Sequence, residues 1–92
     1  MANIKSAKKR IRLAEESRSR NRVRRSIARA AIRRFEESLR AGNLEEAETR
    51  LRFASGRLDR AAQKGAIHRN KAARRKSHIW RLFNEASRNA AG

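Results

Sequence analysis

The amino-acid sequence predicts an all-α protein, an antiparallel three-helix bundle with a long N-terminal helix that overhangs the bundle. Three observations predict this fold class. Proline is absent from the 92 residues. Apolar residues recur at spacings of three and four, the period of a helix. Gly42 and Gly65 divide the chain into three pieces with short connections, which favour antiparallel neighbours. Residues 1–92 are expected to form a single domain, because so short a chain supports only one small core.

The first helix is predicted over residues 5–40. Residues 15–22 contain no large apolar side chain, and after them the apolar positions widen to an arc of about 180°. That arc predicts packing against two helices, and it comprises Val23, Ile27, Ala28, Ala31, Ile32, Phe35 and Leu39. At 1.5 Å per residue this helix is about 54 Å long and the second only about 30 Å. The part before about residue 20 therefore overhangs, and its apolar positions at 4, 7 and 11 need a partner outside the domain.

The second and third helices are predicted over residues 44–63 and 67–87. Gly42 suits the left-handed position that ends a helix, and Asn43 with Glu46 is typical of a capping pair that begins the next. The apolar positions of the second helix are Leu44, Ala47, Leu51, Ala54, Leu58 and Ala61, at alternating spacings of three and four. Gly65 ends that helix. In the third helix Ala72, Ile79, Phe83 and Ala86 share one side.

The charge of the chain indicates an anionic partner. Its 26 Lys and Arg against 9 Asp and Glu give a formal net charge of +17, which repels itself unless a polyanion neutralises it. Residues 1–34 carry a net charge of +11, residues 35–60 a net charge of −1, and residues 61–84 a net charge of +7. The overhang and the third helix are therefore predicted to bind the anion, and the second helix to complete the bundle.

Other functional classes lack the residues that they need. The chain has no cysteine, and its two histidines, His68 and His78, are flanked by cations, so no disulfide, metal site or cofactor is expected. The paired glutamates are explained by ion pairs between residues four apart, so no catalytic residue, small-molecule substrate or enzymatic activity is expected. These pairs are Glu16–Arg20, Glu36–Arg40, Glu46–Arg50 and Glu48–Arg52. No apolar run approaches the roughly 20 residues that cross a bilayer, so no membrane partner is expected.

Basic runs at residues 5–12, 18–25 and 69–76 are predicted to bind phosphate, since they recur on separate segments of one small domain. Phe53 lies opposite the apolar positions of the second helix, near several arginines. Three roles stay open for it: packing on arginine side chains, packing on the third helix, or stacking on a base. Trp80 is expected at the edge of the core.

Two motifs resemble the bacterial small-subunit ribosomal protein twenty (S-twenty) family: MANIKSAKKR at the start, and KGAIHRNKAARRKS at residues 64–77. The resemblance spans nearly the whole chain, with Arg at many positions where the family often has Lys. It implies a three-helix protein that binds 16S ribosomal RNA early in small-subunit assembly. Such a protein bridges RNA of the 5′ domain and the long penultimate stem near the 3′ end. It also implies a monomer within a cytoplasmic ribosome, bacterial or organellar.

The candidate RNA-binding residues combine the motifs with the basic runs. The resemblance implies contacts at Lys5, Lys8, Lys9, Arg10, His68, Arg69, Asn70, Lys71, Arg74, Arg75 and Lys76. The basic runs and the residues beside them add Arg12, Arg18, Arg20, Arg22, Arg25 and Lys64.

Charge and periodicity alone leave other functions open. A nucleoid-type DNA-binding protein would share the basic surfaces, an interfacial amphipathic protein would bind anionic membranes, and a coiled-coil dimer would pair through the second helix. The membrane alternative is weakened by the scarcity of large apolar residues over residues 1–22, and the dimer by alanine at every second core position. We also predict that the first 20 residues are frayed without RNA, because they carry many like charges and few apolar residues.

Overall fold

The computed structural model describes the backbone of residues 2–91 and the side chains of residues 4–91. The two limits of the predicted domain, residues 1 and 92, lie outside the described residues. Three helices follow one another: α1 (Ala2–Arg40), α2 (Leu44–Gln63) and α3 (Arg69–Ala91). No strand occurs between residues 2 and 91, and the Cα positions extend over 72 × 21 × 13 Å. The prediction of an all-α bundle with a long N-terminal helix is confirmed.

The ends of α1 and α2 are set by local chemistry. Gly42 and Gly65 adopt φ angles of 76° and 77°, which glycine reaches without steric cost. Asn43 caps α2, because its Oδ1 accepts a hydrogen bond from the backbone N of Glu46 at 3.1 Å. Its Nδ2 also donates to Glu46 Oε2 at 3.1 Å. The first contact is the cap that the sequence predicted. The second joins Glu46 to the side chain of Asn43, whose backbone N donates to Ser38 O at 3.1 Å.

Two helices are longer than predicted. The structure starts α1 at Ala2 instead of residue 5, and α3 runs over Arg69–Ala91 instead of 67–87. The later start of α3 follows from His68, whose Nδ1 accepts a hydrogen bond from the backbone N of Asn70 at 3.1 Å and so caps the helix. The later end follows from the residues after Ser87, none of which is a glycine or proline before Gly92.

The core lies where α2 is packed between the other two helices. Its largest fully buried side chains are Phe35 of α1, Leu51 of α2 and Ile79 of α3. Both helix pairs run antiparallel. Residues near 24 in α1 lie beside residues near 60 in α2, and Lys76 and Trp80 of α3 contact Asp59 and Ser55 of α2. Leu44 is half-buried, and the other five predicted apolar positions of α2 are buried.

Residues 23–39 of α1, which were predicted to pack against two helices, pack mainly against α2 and contact α3 at few positions. Along α1 the main neighbour is α2, and α3 approaches only near its own first turns. Val23 remains 57% exposed and Ile27 remains 37% exposed, so the buried face is narrower than the apolar arc. The physical reason is that α3 packs on another side of α2, where Trp80 and Lys76 hold it.

The described side chains of the overhang of α1 make no core contact. Every described side chain from residue 4 to residue 16 is exposed, including Ile4, Ile11 and Leu13. Between residues 4 and 40, Ala28 is the first buried residue. Among residues 2–91, no helix combines the length and the apolar character that a bilayer crossing requires.

Candidate nucleic-acid interface

The first cationic cluster lies on the overhang, and we call it the overhang surface. Its members are Lys5, Lys8, Lys9 and Arg12, which together line a shallow groove. Spacings of three and four place these side chains on one side of α1, one turn apart. Arg10, Arg18, Arg20 and Arg22 are exposed on the same helix but do not line this groove. The overhang surface thus gathers four of the predicted residues.

The second cluster lies on α3, and we call it the α3 surface. Lys71, Arg74, Arg75 and His78 are exposed and line one shallow depression. His78 was not among the predicted RNA-binding residues, although it is flanked by cations in the sequence. Lys64 is exposed but lies outside this depression.

The first turn of α3 is electrostatically suited to an anion. Arg69 and Lys71 stand there with no acidic residue in the turn. A helix N-terminus already carries a partial positive charge, so these cations are unfavourable within the protein alone. A phosphate at this end would offset the repulsion. Because His68 Nδ1 accepts from Asn70 N, Nε2 is the ring nitrogen left to donate to a ligand.

Two predicted cations have partners inside the protein. Lys76 Nζ lies 2.8 Å from Asp59 Oδ1, which joins α3 to α2. Arg25 Nη1 donates to the carbonyl oxygen of Ala66 at 3.0 Å and fastens the loop before α3 onto α1. Arg25 also lines a narrow cleft with Lys71 and Arg75. The last basic run of α1 is thereby brought next to the α3 surface.

A third group of cations is absent from the predicted RNA-binding residues, although Arg24 belongs to the basic run at residues 18–25. Arg24 of α1 and Arg57 and Arg60 of α2 line one depression, together with Ile27 and Ala61. Arg57 and Arg60 were missed because the formal charge of α2 is balanced, and that balance does not show which of its charges are paired. The periodicity of residues 57 and 60 was the only signal that could have placed both arginines beside α1.

The ion pairs of the structure explain which cations are free. The predicted pairs Glu46–Arg50 and Glu48–Arg52 are present, with Nη2–Oε1 distances of 2.6 and 2.9 Å. The predicted pairs Glu16–Arg20 and Glu36–Arg40 are wrong, since neither occurs among the ion pairs of the described side chains. An ion pair on an exposed helix surface contributes little to stability, because water solvates the separate charges almost as well. A favourable spacing of four residues therefore does not ensure that the pair forms.

Acidic groups and histidines do not converge anywhere in residues 4–91. No group of three or more His, Cys, Asp or Glu side chains lies close enough to hold a metal ion in that part of the chain. The fold and the surfaces therefore define a small, strongly basic helical protein whose exposed cations suit a polyanion.

Comparison with known proteins identifies the family. Residues 2–84 match the sequence model of the family described as "Ribosomal protein S20". A protein of Alkaliphilus oremlandii described as "Small ribosomal subunit protein bS20" is 52% identical over 86 residues, which cover 94% of this chain and 99% of the relative. Proteins of the same description from Halothermothrix orenii and Thermobifida fusca are 51% and 48% identical, covering 92% and 99% of this chain and 98% and 99% of the relatives. The chain belongs to the ribosomal protein S20 family, which agrees with the expectation of a structural, non-enzymatic protein.

Proposed function

We propose that this chain is a structural constituent of the small ribosomal subunit that binds 16S ribosomal RNA directly and helps its assembly. In this proposal it acts as a single RNA-binding domain and as a monomer, since Phe35, Leu51 and Ile79 are fully buried within one chain. Its cations neutralise phosphates of RNA segments that are brought close together. The name of its relatives supplies the ribosomal setting, and the cationic surfaces supply the chemistry.

The separation of two cationic surfaces along one continuous helix carries the proposal. Arg25 lies beside Lys71 of the α3 surface, and 17 residues of α1 separate Arg25 from Lys8 of the overhang surface. At 1.5 Å per residue this spacing is about 25 Å. No single phosphate can reach both surfaces, which supports separate RNA contacts at the two ends of α1. In this proposal each surface takes its own RNA segment, and the protein bridges RNA helices.

Recognition in this proposal depends on the geometry of the RNA backbone. Double-stranded RNA has a deep, narrow major groove that side chains cannot read, so the phosphates and the 2′-hydroxyls are the accessible features. The overhang and α3 surfaces consist of flexible, exposed cations suited to phosphates. The folded shape of 16S ribosomal RNA, which sets the distance between phosphate tracks, then provides specificity.

The test is a competition assay with 16S ribosomal RNA, duplex DNA of equal length and an unrelated structured RNA, over a salt series. We expect a preference for 16S ribosomal RNA that persists at physiological salt. The double variant Arg74→Gln/Arg75→Gln should weaken binding and lower the slope of log K against log salt by about 2. The charge-matched control Arg52→Gln/Arg88→Gln changes residues outside both surfaces and should keep the slope.

Equal and uniformly salt-sensitive binding to all three nucleic acids would contradict the proposal. That result would indicate a non-specific polycation, of which a nucleoid-type DNA-binding protein is one kind. Equal loss of affinity in the double variant and its control would show that total charge matters and the α3 surface does not.

A further inference from the structure

Two adjoining depressions lie between α1 and α2, each with apolar residues and arginines in its lining, and we call them together the α1–α2 groove. Ile27, Ala31, Phe53 and Ala61 contribute its apolar part. Its rim carries Arg24, Arg34, Arg50, Arg57 and Arg60. No residue of α3 lines it, so it is distinct from the α3 surface, and it lies far along α1 from the overhang surface.

The charge of the groove is uncompensated. Glu46 is its single acidic lining residue, and Glu46 Oε1 accepts a hydrogen bond from Arg50 Nε at 2.8 Å. The other acidic residues of α2 that form ion pairs do so with Arg52 and Lys76, outside the groove. Arg24 donates to the neutral Asn21 Oδ1 at 2.9 Å. Within residues 4–91, Arg24, Arg34, Arg57 and Arg60 have no carboxylate partner.

An exposed aromatic ring stands among these arginines. Phe53 is 51% exposed, although a ring of this size is normally placed in a core. The guanidinium of Arg57 lies over the ring, with its Cζ atom 5.0 Å from the ring centroid. This cation–π contact holds two flat groups in a stack, and the exposed surface of that stack can take a third flat group.

We propose that the α1–α2 groove binds a single-stranded RNA segment, with an unpaired base stacked on Phe53 and Arg57 and with flanking phosphates on Arg24 and Arg60. Base stacking on aromatic and guanidinium planes, combined with a cationic groove, is how proteins hold unpaired strands. An RNA duplex hides its base faces and would leave the ring unused. An acidic peptide would satisfy the arginines and give the ring no flat partner. The inference rests on the proposed function for the source of the RNA, but it assigns a separate surface.

The first experiment is an NMR titration of the full chain with single-stranded oligoadenylate of about 12 nucleotides, within the range of known single-strand sites. The reporters are the ring protons of Phe53 and the Nε–H groups of Arg57 and Arg60. With the single strand we expect the ring protons to move upfield through the ring current of a stacked base. An RNA duplex with the same number of phosphates should move the arginine signals less and the ring protons hardly at all.

The second experiment measures affinities of variants for the same two RNAs. Phe53→Leu should lower the affinity for oligoadenylate by about tenfold, because one stacked base is lost. It should change duplex binding by less than about twofold, since phosphate contacts remain. Arg57→Gln should likewise weaken oligoadenylate binding more than its control, Arg52→Gln, which removes the same charge from an exposed site of the same helix that is paired with Glu48. Circular dichroism confirms that each variant keeps the wild-type helix content.

The outcomes separate this inference from the proposed function. If the wild-type chain prefers 16S ribosomal RNA while Phe53→Leu and Arg57→Gln behave like Arg52→Gln, the groove assignment is wrong and the ribosomal proposal stands. If the wild-type chain shows no such preference while Phe53→Leu still lowers the affinity for oligoadenylate, the groove assignment is supported and the ribosomal proposal is contradicted. Equal shifts of the reporters with a polyglutamate peptide would overturn the RNA assignment in favour of an acidic protein segment.

Discussion

At the scale of single residues, polar contacts fix how the helices meet. Trp80 Nε1 donates to Ser55 Oγ at 2.9 Å, which joins α3 to α2 at the edge of the core. Ser55 is buried. Trp80 is half-buried, which agrees with its predicted position at the edge of the core. No buried side-chain N or O atom between residues 4 and 91 lacks a hydrogen-bond partner. This bond therefore specifies one alignment of two helices whose apolar contacts alone would permit others.

Trp80→Phe should lower the free energy of unfolding by about 1–2 kcal/mol, because Ser55 Oγ loses its donor inside the protein. Chemical denaturation of the full chain measures this change. The control is the same substitution in a Ser55→Ala background, where no acceptor is left behind and the cost should be smaller. The same cost in both backgrounds would show that the hydrogen bond does not contribute and that ring size alone matters.

At the scale of the elements, α1 combines a part that packs against α2 and a part without tertiary packing. From Ala28 to Ser38 its inner side is buried against α2, whereas residues 4–16 are exposed all round. The overhang is a continuous helix in the structure, but only its own hydrogen bonds hold it there. Helices without tertiary packing are marginal in water, and repulsion among the overhang cations weakens this one further.

In the RNA-free chain, backbone amides of residues 5–20 should exchange with solvent at least about 100-fold faster than those of residues 30–38. The physical reason is that opening the overhang breaks no core contact. Hydrogen-exchange mass spectrometry or NMR measures both segments in one sample. The wild-type chain with added 16S ribosomal RNA serves as the comparison, in which the difference should shrink. Slow exchange of residues 5–20 without RNA would contradict the prediction.

At the scale of the whole molecule, the distribution of charge opposes the fold. A formal charge of +17 lies on 92 residues whose core is small. The ion pairs found among the described side chains are three, all with substantial exposure, so they offset little of the repulsion. The shape, 72 Å long and 13 Å thick, spreads the cations apart but buries little apolar surface. Such a protein gains stability from any medium that screens positive charge.

Raising sodium chloride from about 0.05 M to about 0.5 M should raise the melting temperature of the RNA-free chain, because the Debye length falls from well above to below the spacing of its cations. If screening contributes about 1 kcal/mol, the rise is about 4–8 °C for a domain of this size. Thermal unfolding followed by circular dichroism measures it, with an uncharged osmolyte as the control for general exclusion effects. A falling melting temperature would show that ion pairs outweigh the repulsion.

Much of the fold follows from local sequence features. Gly42, Asn43 and Glu46 determine where α1 ends and α2 begins, because each acts on backbone groups within four residues of itself. The apolar spacing of α2 likewise predicts which side of the helix is buried, because the period of a helix places those residues on one side. The overhang surface and the α3 surface were also predictable. A run of charges of one sign is visible in the sequence, whichever helices pack beside it.

The rest was decided by which helix faces meet. The sequence by itself determined three helices, the junction between α1 and α2, the end of α2, the overhang and the segregation of charge. Only the tertiary structure decided that Val23 and Ile27 stay exposed and that Arg25 holds the loop before α3. It also decided that Arg57 and Arg60 line a depression beside α1 without a carboxylate partner among the described side chains. The physical reason is that burial and ion pairing are properties of pairs of elements. Asp59 is used by Lys76 of α3, 17 residues away, and no local pattern reveals that choice.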